Sequence, residues 1–118
     1  MRVVIAGGGT GGHINPALAI ARALGGEILY IGGKKGIEKE ILPQSGLSYV
    51  LLDVEGFQRH LTLRNIAILV KAFKATRKSR QLLKDFQPDL VVVTGGYVSG
   101  PVGQAASSLE IPLFLQEQ

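Results

Sequence analysis

Val3-Val4-Ile5-Ala6-Gly7-Gly8-Gly9-Thr10-Gly11-Gly12-His13-Ile14-Asn15-Pro16 is the stretch whose reading decides the fold. An apolar, β-branched run leads into a loop built almost wholly of glycine. Asn15 then reads as a helix cap and Pro16 as the first helical residue. Strand, glycine turn and helix in that order open a Rossmann-like unit. Glycine has no side chain to hold a ligand off, so backbone N–H groups can close in on it. At a helix amino terminus, where unpaired donors and the positive end of the dipole coincide, such a loop suits a diphosphate. A plain turn needs one or two glycines, whereas this loop has more and sets His13 on the ligand side.

Three kinds of phosphate loop compete for the stretch. Gly7, Gly9 and Gly12 satisfy G-x-G-x-x-G, but a dinucleotide site also asks for an acidic residue at the end of the second strand to hold the ribose. Here Glu27-Ile28-Leu29-Tyr30-Ile31 runs into Gly32-Gly33-Lys34-Lys35. The lysines would accept a 2′-phosphate, which keeps an NADP-type reading in play. A nucleoside-triphosphate loop needs G-K-[ST] after its second glycine, and Gly12-His13-Ile14 does not supply it.

Working outward, Pro16 to Leu24 reads as a helix stopped by Gly25-Gly26, and Glu27 to Ile31 as the second strand. Gly36 to Leu42 makes a short amphipathic helix closed by Pro43, and Ser48 to Leu52 the third strand. Asp53 to Leu61 is an aperiodic loop expected at the mouth of the cleft. A long helix follows from about Thr62, a plausible cap, to Phe86, stopped by Pro88. Asp89 to Val93 is a buried fourth strand. Thr94-Gly95-Gly96-Tyr97-Val98-Ser99-Gly100-Pro101 is then a second glycine loop opening a second helix, with Ser99 as candidate cap and Pro101 early in the helix. That helix runs to about Leu109, and Ile111 to Leu115 is a fifth strand. The expected class is α/β, a Rossmann-like parallel sheet with helices on both faces. In such sheets the first and fourth strands are neighbours where strand order reverses, so both glycine loops should face one crevice.

Composition narrows the chemistry. The 118 residues, 46% of them hydrophobic, allow one domain. With no cysteine, disulfides, thiolate catalysis and cysteine metal sites are excluded, and a reduced setting fits. The apolar run behind Arg2 is too short for a secretory core or a spanning helix, so export is not expected. Asp53, Asp85 and Asp89 stand apart, with no carboxylate cluster suited to a divalent metal. No cofactor and no metal are expected.

The charge is concentrated. Between Thr62 and Phe86 seven basic residues face one acid, a net +6 against +4 for the whole chain. Helical spacing sorts this segment into two rows. Ile68, Ala72, Ala75, Ser79, Leu82, Leu83 and Phe86 form the row expected against the sheet. Ile66, Leu69, Val70 and Phe73 form a second row that continues into Arg77, Arg80 and Lys84. Apolar residues meeting a line of cations suit an anionic membrane surface; the alternative is a solvated basic face whose aliphatics cover a loop. Nucleic acid is not an expected partner.

With these loops on the page, the sequence resembles the amino-terminal domain of the MurG family of bacterial glycosyltransferases. The residues that carry the likeness are Gly7 to His13 with Pro16, Gly95-Gly96-Tyr97-Val98-Ser99-Gly100-Pro101, and Glu117-Gln118 after an Ile-Pro strand. Glu38, Leu42-Pro43 and Gly46-Leu47 fall in matching places, so the likeness spans the chain. The sequence departs from the family at Gln116, where a histidine is usual. The resemblance implies a two-domain GT-B enzyme that moves N-acetylglucosamine from UDP-N-acetylglucosamine to a lipid-linked muramoyl-pentapeptide in peptidoglycan synthesis. It acts at the cytoplasmic face of the inner membrane as a peripheral protein. Residues 1–118 would be its acceptor-binding domain, incomplete at the carboxyl end, with the donor-binding domain absent and the isolated chain inactive. It further implies that both glycine loops cradle the acceptor diphosphate, while Thr10, Gly11 and Gly12 also touch the donor.

The candidate site is therefore Thr10, Gly11, Gly12, Gly95, Gly96, Tyr97, Ser99 and Glu117 for substrate. His13 is the candidate catalytic residue, as base to the acceptor hydroxyl or as donor to phosphate oxygens; a structural histidine bonded to loop backbone is the alternative. Tyr97 offers a hydroxyl or a ring face. Ser99 reads as a cap before it reads as a nucleophile, because no second histidine is placed to activate it. Two rival functions remain at this point: a non-catalytic, membrane-docked subunit of a two-chain transferase, and an NADP-type dinucleotide domain.

Overall fold

Valine and isoleucine run in short bursts separated by glycine, and these bursts become strands. In a computed structural model, which describes residues 2–8, 19, 23, 26–34, 48–53, 63–96 and 98–115, the elements are β1 (Arg2–Gly8), β2 (Glu27–Gly33), β3 (Ser48–Leu52), α1 (Leu63–Phe86), β4 (Leu90–Gly96), α2 (Ser99–Ser108) and β5 (Leu113–Leu115). The strands form one five-stranded sheet in the order β3-β2-β1-β4-β5, and every neighbouring pair is parallel. The expected α/β class and the pairing of first with fourth strand are both present. Ala19 and Ala23, four apart in the expected first helix, are helical and exposed. The rest of that helix, the expected helix at 36–42 and the loop at 54–61 lie outside the described residues.

Strand alternation sends successive side chains to opposite faces. Val4 and Ala6 of β1, Ile31 of β2, Leu52 of β3 and Val91 and Val93 of β4 share a face and pack with Ala75 and Leu83 of α1 and Val98, Val102, Ala105 and Ala106 at α2. Val3, Ile5, Tyr30 and Val92 point the other way and are buried as well. The central strands are thus apolar on both sides, as a parallel sheet requires.

Helix α1 divides as its periodicity predicts. Ile68, Ala75, Ser79 and Leu83 are buried, with Ala72, Leu82 and Phe86 partly so. The Ser79 hydroxyl stays satisfied by donating to the Ala75 carbonyl at 2.7 Å. At the opposite end of the sheet from the glycine loops, Arg2 ties three elements together. Its Nε meets Glu27 at 2.8 Å, its Nη1 donates to the Phe86 carbonyl at 2.9 Å, and its backbone N–H donates to Asp89 at 2.9 Å.

Several boundaries differ from the sequence reading. β1, β2 and β4 run on through glycines taken for loop, ending at Gly8, Gly33 and Gly96. Ser99 is not the cap of α2: Val98 holds that position in helical conformation, with no side-chain cap bond, and Ser99 is the first helical residue. β5 begins at Leu113 and not Ile111, because the Ile111 N–H is taken by the Ala106 carbonyl at 3.0 Å. Its three residues, Leu113, Phe114 and Leu115, are exposed.

Candidate functional site

The site is built where β1 and β4 end side by side. From Val3–Leu90 to Ala6–Val93 the two strands keep one register, and the next pair is Gly8–Gly96. β4 therefore spends one residue more than β1 over this step, a bulge of the kind that re-aims backbone beside a functional site. Two bare glycine backbones consequently lie next to each other at the carboxyl edge of the sheet, at its topological switch point. In open α/β sheets ligands bind there.

Two buried hydroxyls fix this corner. Thr94 Oγ1 donates to the Ala6 carbonyl and Tyr30 Oη to the Gly7 carbonyl, each at 3.3 Å. Both acceptors lie near the carboxyl end of β1, so side chains of β2 and β4 together hold that end of the strand. Sequence reading overlooked both residues. The available signal was a single hydroxyl, Thr94, closing an otherwise all-valine run, and a lone tyrosine amid aliphatics in β2.

Beyond Gly96 the chain enters α2 within three residues. Val98 supplies no capping side chain at the amino end of this ten-residue helix, the end where backbone N–H groups and the positive end of the dipole coincide. A methyl group added at Gly100 would meet nothing within 4 Å, so the space above the first turn is open. Bare glycine backbone at Gly8 and Gly96 and a positive helix end close by in the chain are features that can hold an anionic group such as a phosphate.

Of the expected substrate residues, Gly95 and Gly96 end β4 and Ser99 starts α2, all on this edge. Thr10, Gly11, Gly12, His13, Tyr97 and Glu117 lie outside the described residues. The second expected row on α1 is exposed: Phe73 at 65%, Ile66 at 57%, Leu69 at 56% and Val70 at 48%, continuing into exposed Arg77, Arg80 and Lys84. No described helix is long and apolar enough to cross a membrane.

Comparison with known proteins bears on this geometry. A sequence profile of the glycosyltransferase family 28 N-terminal domain matches residues 3–118. The chain is 46% identical over 123 residues to the UDP-N-acetylglucosamine–N-acetylmuramyl-(pentapeptide) pyrophosphoryl-undecaprenol N-acetylglucosamine transferase of Listeria welshimeri, covering 100% of this chain and 34% of that protein. It is 49% identical over 122 residues to the enzyme of the same name from Lacticaseibacillus casei, covering 99% of this chain and 34% of that one. Among solved structures, MurG of Acinetobacter baumannii superposes with a TM-score of 0.84 at 34% identity, over 98% of this chain and 35% of that chain. The chain thus spans about a third of the length of these relatives.

Proposed function

The chain belongs to the glycosyltransferase family 28 N-terminal domains, and from that premise we propose that it is the acceptor-binding part of an enzyme that transfers N-acetylglucosamine from UDP-N-acetylglucosamine to a lipid-linked muramoyl-pentapeptide. The observation that carries the reading is the Gly8–Gly96 pairing, which makes one anion-holding corner out of two glycine segments. The relatives act on a pyrophosphoryl-undecaprenol substrate by name, and a diphosphate is what such a corner suits.

In this reading the two glycine loops, with Thr10, Gly11 and Gly12 in the first and Gly95, Gly96 and Ser99 in the second, hold the acceptor diphosphate, Tyr97 and Glu117 contact substrate away from the phosphates, and the first glycine loop also meets the donor. The acceptor hydroxyl oxygen bonds to the anomeric carbon of N-acetylglucosamine. The bond from that carbon to the UDP phosphate oxygen breaks, and UDP leaves with the electron pair. The hydroxyl proton passes to a base, for which His13 is the candidate. The exposed row from Ile66 to Phe73, with Arg77 and Arg80, rests on an anionic membrane surface at the cytoplasmic face, which brings the corner to an acceptor that cannot leave the bilayer.

The test is a pair of titrations on the 118-residue chain followed by backbone amide resonances. A short-chain lipid-diphosphate acceptor should shift the amides of Gly8, Gly95 and Gly96 saturably, while NADPH leaves them in place. The reverse result would replace the transferase reading with the dinucleotide one.

A further inference from the structure

β2 and β3 end together at the outer edge of the sheet, two strands away from β4. Lys34 follows β2 directly, and its backbone N–H donates to the Leu52 carbonyl at 2.9 Å, so its position is pinned to the end of β3. Facing it, α1 presents Lys71, Lys74 and Lys78, spaced three and four residues apart and therefore on one side of the helix. The four lysines surround a cavity of ≈ 120 Å³ whose floor includes Leu51 and Leu52. Asp53 also lines it and lies 3.7 Å from the Lys71 ammonium. Among the described residues the lining carries four cations and one anion, a net +3.

Such an arrangement costs the folded chain free energy when empty. Lys71 with Lys74 and Lys74 with Lys78 are like-charge pairs at helical neighbour spacing. Among the described residues, Lys34, Lys74 and Lys78 make no ion pair that would offset it. A concave wall of one sign focuses potential and concentrates counter-ions. Three excess charges around a small volume match a compact, multiply charged anion, and lysine binds phosphate as a point charge without demanding fixed geometry.

We propose that this cavity is a phosphate-binding site, separate from the glycine corner at β1 and β4. It takes the phosphate of a phospholipid headgroup or of a soluble phosphate ester. The cavity opens beside the exposed apolar row, since Lys74 and Lys78 follow Phe73 and Arg77 by one residue each and so lie about 100° round the helix from them. That position would let a headgroup phosphate enter while acyl chains contact the row, and it is equally open to a soluble ester.

The experiment uses the 118-residue chain at constant ionic strength. Inorganic phosphate and glycerol 3-phosphate are titrated while the amides of Lys34, Lys71 and Lys74 are followed, and binding to phosphatidylglycerol vesicles is measured by sedimentation. Wild type is compared with Lys34→Gln/Lys74→Gln, whose fold is checked by thermal melting, and with Lys78→Gln as a second, milder variant. A saturable phosphate response at these amides, weakened about tenfold or more in the double variant, is expected. If vesicle binding falls in parallel and glycerol 3-phosphate competes with it, the occupant is a lipid headgroup. If vesicle binding is unchanged, the occupant is a soluble phosphate ester. A response that never saturates, or one that the double variant keeps, overturns the proposal whatever the vesicles do.

Discussion

Glu110 carries a φ of 58°, a left-handed conformation that an L side chain resists and glycine does not. It is the residue that turns the chain out of α2, with its N–H on the Ser107 carbonyl at 3.1 Å and the next N–H, of Ile111, on the Ala106 carbonyl at 3.0 Å. This is a Schellman ending in which glutamate stands where glycine is favoured. Glu110→Gly is therefore expected to stabilise the chain by about 1 kcal/mol, read as a higher urea midpoint with an unchanged slope. Gly100 is the converse case. It sits in the first turn of α2 with open space where a Cβ would go, so Gly100→Ala should raise stability by about 0.5 kcal/mol while lowering affinity for the lipid-diphosphate acceptor. Equal affinity would remove Gly100 from the binding surface. The start of α2 shows why single residues were hard to read. Proline is tolerated throughout a first turn because its missing N–H is one of four that lack partners anyway. Pro101 therefore signalled a helix start without saying whether it was the second or the third residue, and Ser99 took the cap position by default.

Elements were more legible than their ends, and α1 most of all. Over 24 residues the helical period has room to separate a buried row from an exposed one, and Ile68, Ala75, Ser79 and Leu83 fall on the side assigned to them. The two rows predict opposite outcomes. Leu83→Ala empties a fully buried site and should cost about 2–5 kcal/mol, measurable by chemical denaturation. Val70→Ser with Phe73→Ser should leave stability within about 0.5 kcal/mol of wild type and reduce binding to anionic vesicles, an effect that salt should mimic. Unchanged vesicle binding would move membrane contact elsewhere. Strand ends were illegible for a different reason. Glycine is a loop signal in a sequence, yet Gly8 and Gly96 are strand residues because their bare backbones pair across a bulge, and only the neighbouring strand reveals that. At β5 the helix ending claims Ile111, which shortens a strand that five apolar-rich residues suggested. For the candidate site, the adjacency of the first and fourth strands was legible; the Thr94 and Tyr30 hydroxyls that hold the end of β1 were not, since each acts on a carbonyl from another strand.

At the scale of the molecule, the chain spans about a third of its relatives, and a sugar transfer needs donor and acceptor held together. The isolated 118-residue chain is expected to show no transfer of radiolabelled N-acetylglucosamine; turnover above a protein-free control would mean that these residues alone grip both substrates. The register of the sheet has a further consequence, in time and not in space. Thr94 and the Ala6 carbonyl it holds are 88 residues apart in the chain, and β1, though first made, lies at the centre of the sheet. The strand that completes its hydrogen bonding, β4, follows it at Leu90–Gly96. Closing that long loop brings no contacts until it is done, so β1 stays half-paired until β4 has been made, and the step that ends this also sets Gly8 beside Gly96. The glycine corner therefore has no existence ahead of the core: a nascent chain acquires the proposed ligand site and its cooperative stability in one event. Any ligand of that corner acts as a folding ligand, adding about 2.7 kcal/mol to stability at a hundredfold excess over its dissociation constant.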